Sequence, residues 1–137
     1  MAIIQSIRRI NPLDLNKNVK IGVAFPLDEA NMFSGTETEK EQIKANLINL
    51  LLTYPGERIN LPNYGVGLKK LIFQQEQDIN ESSLLTIIER QTQIYIPRIQ
   101  LQRVSTGSSE DKHTLFISLT YTYILDGSSD LIQLNFN

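Results

Sequence analysis

Residues 53–67 read TYPGERINLPNYGVG, and this stretch decides how the chain is divided. Pro55-Gly56 stops the apolar run before it, Pro62-Asn63 and Gly65-Val66-Gly67 add two further turns, and Glu57 and Arg58 stand side by side between them. Proline fixes φ and lacks a backbone donor, while glycine supplies the positive φ of tight turns, so no regular element crosses the segment. Strongly patterned halves lie on either side of it. A charged pair at such a junction suits a specific contact, and the segment points to an assembly module more than to an enzyme.

On its amino-terminal side the pattern is helical. Thr38 and Glu41 have capping-box spacing, in which hydroxyl and carboxylate satisfy backbone donors at a helix start. Glu37, Glu39 and Glu41 also put negative charge at the positive end of the helix dipole. Ile43, Leu47, Leu50 and Leu51 recur with helical period, and Ile48 and Leu52 widen the stripe, so the carboxyl half should run into the core. On the other side, Leu68–Phe73 (LKKLIF) reads as a short helical turn with its leucines and Phe73 inward. A second helix follows, capped by Asp78 with Glu81 or by Asn80 alone. Leu84, Ile87, Ile88 and Tyr95 line its buried face, Glu81, Glu89, Arg90 and Gln93 face water, and Pro97 ends it.

Beyond Pro97 the period changes from 3.6 to 2. Ile99–Val104 reads as a strand, Thr106–Lys112 as a polar loop, and Leu115–Ile124 as a half-buried strand with Leu115, Ile117, Leu119, Tyr121 and Tyr123 on one face. Asp126–Ser129 is a turn, and Ile132, Leu134 and Phe136 share a face of a last strand. The expected fold class is α+β: two main helices packed on a small antiparallel or mixed sheet, with a C-terminal three-stranded meander. Residues 1–35 form an N-terminal arm and short strand, and 36–137 a single domain. Within the arm, Ile3, Ile7 and Ile10 have helical spacing ended by Asn11-Pro12, which suits either a frayed terminus or an arm that docks on a neighbour. Lys20–Leu27 reads as a short strand closed by Pro26, and Asp28–Gly35 as a loop.

Composition narrows the function classes. At 137 residues the chain suits one core, burying roughly two-thirds of its unfolded surface. The net charge of −2 lacks the basic excess of a nucleic-acid or anionic-membrane surface. With no cysteine there is no disulfide framework and no thiolate metal site, which fits a reducing compartment. The amino terminus has no uninterrupted apolar stretch ahead of its arginines, and no run approaches the roughly 18 residues of a membrane span. A soluble protein of the cell interior is expected, or one that leaves only when the cell opens.

Thr53–Gly65, Leu68–Phe73, a helix, the run Tyr95-Ile96-Pro97-Arg98-Ile99 and a meander occur in one order. In that order and spacing the chain resembles the small baseplate wedge proteins of contractile-tailed phages, sometimes labelled lysozyme-like, a family that includes a component of type VI secretion baseplates. The resemblance covers roughly residues 36–137. The family's Glu-Pro-Arg triplet is matched at Pro97 and Arg98, while Ile96 replaces the acid. The resemblance implies a structural role close to the tail tube, with wedge core subunits, sheath protein and tube-proximal baseplate proteins as partners. It also implies a place in the virion baseplate, assembled in the host cytoplasm, or in the bacterial cytoplasm for a secretion system. No nucleic acid, membrane, small-molecule substrate, cofactor or metal is expected.

The resemblance further implies that the domain templates the first sheath layer, and the sequence permits strand addition. Leu131, Ile132, Gln133, Leu134, Asn135 and Phe136 form an alternating strand that carries none of the Lys or Pro residues that usually block an edge. The alternative is a central strand, paired on both sides at home. Arg98 with Glu57 and Arg58 nearby, beside Pro97, is read as an anchor to the wedge core, since a guanidinium suits bidentate recognition. The alternative for these charges is an internal ion pair tying the Tyr54–Arg58 turn to the second helix end.

Two other classes compete. A peptidoglycan-cleaving hydrolase would use Glu57 as acid and Asp78, Glu76 or Glu81 as partner, but a glycosidase needs two carboxylates across a cleft, and the chain has no Trp for a sugar groove. A regulatory anti-adaptor on the same fold is the other. His113 is the only histidine, Gly65-Val66-Gly67 lacks the preceding strand and third glycine of a dinucleotide loop, and Ser105–Ser109 has no partner base.

Overall fold

The first long helix begins where its capping box places it. Thr38 Oγ1 accepts the Glu41 amide at 3.3 Å, and Glu41 Oε2 accepts the Thr38 amide at 3.4 Å, so two otherwise unpaired donors are satisfied reciprocally. The computed structural model describes residues 12–15, 19–24, 35–73, 80–110 and 114–136. In chain order these hold a 3-10 turn at Pro12–Leu15, β1 (Gly22–Val23), β2 (Gly35–Thr36), α1 (Glu39–Leu52), a 3-10 turn at Leu68–Phe73, α2 (Glu81–Tyr95), β3 (Ile99–Ser108), β4 (Leu115–Tyr123) and β5 (Ser129–Phe136). The expected helical pattern at Ile3, Ile7 and Ile10, the closing Pro26-Leu27 and the loop 28–34 lie outside the described residues. Glu76, Asp78 and His113 lie outside them too, as do the side chains of Leu71 and Phe73.

The fold is α+β. β3, β4 and β5 form an antiparallel meander in that order, and β1 pairs with β2 as a separate two-residue ladder. Gly35, read from sequence as loop punctuation, is thus a strand residue opposite Val23. On β4 the side chains of Ile117, Leu119, Tyr121 and Tyr123 all point inward, as period 2 requires. They meet Ile43, Leu47, Leu50 and Leu51 from α1 and Leu84 and Ile88 from α2 in one continuous core. Asn80 alone caps α2 among the described residues, its side chain accepting the Ser82 and Ser83 amides at 3.0 and 3.4 Å.

Two expectations are corrected. Ile87 was assigned to the buried face of α2, yet it is exposed, and the buried position is taken by Thr92. At 100° per residue, Leu84, Ile88 and Tyr95 cluster within a narrow arc, whereas Ile87 falls about 60° outside it. Residues 106–108, assigned to a loop, continue β3 opposite Leu115–Ile117. A bulge between Leu101 and Arg103 shifts the register there, so the alternation that marks a strand is interrupted in the sequence.

Candidate functional site

The border of the sheet at β5 is the first candidate. The Tyr123 amide donates to the Ser128 carbonyl at 2.8 Å, which fixes the phase of the β4–β5 ladder. Counting by twos from that pair, Asp130, Ile132, Leu134 and Phe136 turn their backbone groups to β4, opposite Tyr121, Leu119, Ile117 and Leu115. Leu131, Gln133 and Asn135 therefore direct N–H and C=O away from β4, and no described strand lies beyond them. The Leu131 amide is met by the carboxylate of its neighbour Asp130 at 2.8 Å, so the first outward donor is already used.

The opposite border is capped at one residue. Glu81, at the start of α2, accepts both the Thr106 amide (2.8 Å) and the Thr106 hydroxyl (3.0 Å). Those two hydrogen bonds hold the Glu81 carboxyl below its ordinary pKa. Glu81, expected to face water, is exposed and makes these bonds at the surface. The sheet thus has one edge capped by a helix residue and one edge open among the described residues.

Asp130 also organises the inside of the β4–β5 turn. Tyr121 and Tyr123 donate to its Oδ2 at 3.2 and 3.4 Å, and Lys44 of α1 approaches the same oxygen at 3.2 Å. Burial raises its pKa, but the Leu131 amide, Lys44 and Tyr121 outweigh that, and the net shift is downward. One turn earlier on α1, Lys40 pairs with Asp126, which accepts the Ser128 amide and hydroxyl as well and is held far below the usual carboxylate range. Burial, and then the neighbouring Tyr123 hydroxyl, push the Tyr121 phenol well above its ordinary value.

The four residues read as a wedge anchor are not one cluster. Glu57 folds back on its own turn, its carboxylate accepting the Tyr54 amide at 3.0 Å. The Arg58 guanidinium lies over the Tyr64 ring, 4.1 Å from its centroid. Arg98, three residues beyond α2, instead pairs with Glu39 in the first turn of α1. Since α1 has 14 residues, the Glu57–Arg58 turn and Arg98 are bound to opposite ends of a helix roughly 20 Å long. Pro97 and Arg98 are exposed, and the arginine side chain is 66% accessible despite its ion pair.

A residue that the sequence reading passed over holds the 53–67 loop. Gln91 of α2 accepts the Gly65 amide at 3.2 Å through its side-chain oxygen and donates to the Asn63 carbonyl at 3.0 Å. Gly56 to Pro62 (2.7 Å) and Val66 to Leu50 (3.0 Å) close the loop on itself and on α1. Nothing local marks Gln91, because its partners lie 26 and 28 residues away.

For hydrolase chemistry the described carboxylates are poorly placed. Glu57 is engaged by the Tyr54 amide, and Glu81 is bound to Thr106 with a lowered pKa, whereas a general acid needs a raised one. A cleft of about 380 Å³ between α2 and β3 is lined by one carboxylate, Glu89, with Thr92, Gln93, Pro97, Ile99, Gln100, Leu101 and Ile124. No group of three or more metal-ligating side chains occurs among the described residues. No helix among the described residues is long and apolar enough to cross a membrane.

No curated protein matches the chain. Among solved structures, a candidate tail lysozyme from Geobacter sulfurreducens superposes with a TM-score of 0.60 at 20% identity, covering 75% of this chain and 94% of that one. At that identity the likeness is one of fold. A chain in the cryo-EM structure of the anti-feeding prophage baseplate superposes with a TM-score of 0.59 at 26% identity, covering 74% of this chain and 83% of that one. The sequence family described as baseplate wedge protein gp25 matches residues 37–128, from the capping box of α1 to the β4–β5 turn, and the chain belongs to that family.

Proposed function

We propose that this protein is a structural component of a contractile injection apparatus, which docks on the wedge core and templates the first sheath layer by accepting a strand along β5. Family membership supports the baseplate role and a non-enzymatic one. The observation that carries the strand-addition reading is the open border: Gln133 and Asn135 present outward backbone groups, while the far edge is capped at Thr106 by Glu81. Leu131–Phe136 would meet the sheath protein. Glu57, Arg58, Pro97 and Arg98 would face wedge core subunits and tube-proximal baseplate proteins, as two separate contacts. The protein would reside in a virion baseplate assembled in the host cytoplasm, or in the bacterial cytoplasm if the apparatus is a secretion system. Its work needs no cofactor, nucleic acid, membrane or small substrate.

Gln133→Pro tests this. The Gln133 amide points away from β4, so proline removes no internal ladder bond while placing a ring where the incoming strand must pair. The variant should fold and enter wedges, yet particles should lack sheath when viewed by electron microscopy. Normal sheath on Gln133→Pro particles would refute the templating role.

A further inference from the structure

The outward row of β5 is interrupted at its first position. Leu131, Gln133 and Asn135 all direct backbone groups away from β4. The Leu131 amide, however, is taken by Asp130 Oδ1 at 2.8 Å, while no described group meets the outward amides and carbonyls of Gln133 and Asn135. Held by that bond alone, the carboxylate would swing aside at little cost. It is held from the inner side of the sheet as well. Lys44 of α1 reaches its two oxygens at 3.4 and 3.2 Å, the Tyr121 hydroxyl donates to Oδ2 at 3.2 Å, and the Tyr123 hydroxyl lies 3.4 Å from the same oxygen. Both tyrosine rings are buried and pack edge to face, 5.4 Å between centroids, so their hydroxyls are fixed in turn.

A strand lying along β5 has to bring a carbonyl to each outward amide, whichever way it runs. At Leu131 a carboxylate oxygen already stands in that place. Two oxygens with no proton between them repel, and the incoming carbonyl would give up water without gaining a donor. Beyond this position the border alternates. Gln133 and Asn135 are exposed, with their side-chain amides 3.5 Å apart, whereas Leu134 between them turns to the core and is only partly buried against it. Residues opposite one another on neighbouring strands share a face. A residue set opposite Leu134 therefore completes its burial only if it is apolar, and those opposite Gln133 and Asn135 meet polar side chains.

We propose that Asp130 is a register stop, which confines an incoming strand to the stretch from Ile132 to Phe136 and so selects a short segment reading polar, apolar, polar, with its apolar residue opposite Leu134. The proposal rests on strand addition along β5, and adds to it which residues pair and what the foreign segment must carry. Asp130 acts by position: it occupies the first outward amide and leaves the next two free. Its ties to Lys44 and Tyr121 keep that choice fixed, because releasing Leu131 would mean breaking a set of bonds and not one.

The test is the register of that strand in whole particles, read by cryo-electron microscopy with the parent chain, Asp130→Ala and Asp130→Asn. In the parent the foreign strand should exchange hydrogen bonds with Gln133 and Asn135, leave the Leu131 amide on Asp130, and set an apolar residue opposite Leu134. Asp130→Ala should lengthen the ladder by the residue pair at Leu131. Asp130→Asn loses the charge but keeps an oxygen for that amide, and should hold the parent's register. Both variants lose the ion pair with Lys44, so a merely structural role would move them together. Pairing at the Leu131 amide in the parent, a polar residue opposite Leu134, or equal ladders in the two variants would overturn the stop and leave strand addition standing. No foreign strand along β5 in any of the three would remove both. Were Asp130→Ala too unstable to assemble, the registers of the parent and of Asp130→Asn would still decide.

Discussion

Gly65 is where the loop closes on its own helix, and the cost of any side chain there is set by backbone alone. Its φ is +111°, and a Cβ would be driven into the Thr53 carbonyl oxygen. Gly65→Ala should therefore lose about 3 kcal/mol or more, read as a drop in the urea midpoint at unchanged slope. Gly56→Ala is the internal control. Its φ is +89° but nothing lies near its added methyl, so only the conformational penalty of about 1 kcal/mol remains. Equal losses would mean that the Thr53 approach is unimportant. Arg98→Ala separates anchoring from folding in the same way. The guanidinium is mostly in solvent, so removing its pair with Glu39 should cost about 1 kcal/mol, a few degrees of Tm at most. Loss of wedge co-assembly without a large fall in Tm supports an anchor; a large fall with assembly intact refutes it.

At the scale of elements, β5 shows both what the sequence made legible and what it hid. Alternation from Leu131 to Phe136 was enough to find the strand and its buried face, because Ile132 and Phe136 fall on one side of a period-2 pattern. The capping box found α1, and the switch of period after Pro97 found the meander. Order in the sheet was left as two alternatives, since pattern does not say which side of a strand is paired; register does. The end of β3 was missed because Thr106-Gly107-Ser108 carries no apolar residue to alternate, although the chain there stays extended and paired with β4. Gln91 and the Arg98–Glu39 pair were missed for a common reason: their partners are brought together by tertiary packing, and nothing in a local window encodes them. The ladder phase makes a prediction of its own. In the isolated protein, hydrogen exchange should be fastest at Gln133 and Asn135, at least tenfold slower at Ile132 and Leu134, and intermediate at Leu131, whose amide Asp130 holds. Uniform protection along β5 would mean that something already covers this border.

Across the whole molecule, the helical layer and the sheet are tied by carboxylates as well as by the core. Glu81 joins α2 to β3, Asp126 joins the β4–β5 turn to Lys40, and Asp130 joins β5 to Lys44. All three titrate below their ordinary values, so each is more acidic folded than unfolded. The sign follows from linkage: a depressed folded pKa gives stability that is complete above the unfolded value near 4 and is lost as pH falls through the folded one. Stability should be nearly level from about pH 7 to 5 and decline below about pH 4 as the ties protonate. Asp126→Asn should be less stable than the parent at neutral pH, with the gap narrowing on acidification, because the parent loses what the variant already lacks. Urea midpoints at several pH values measure this directly. A gap that stays constant down to pH 2 would mean that Asp126 contributes through shape rather than charge, and the Lys40–Asp126 pair would then be incidental to how α1 is held against the meander.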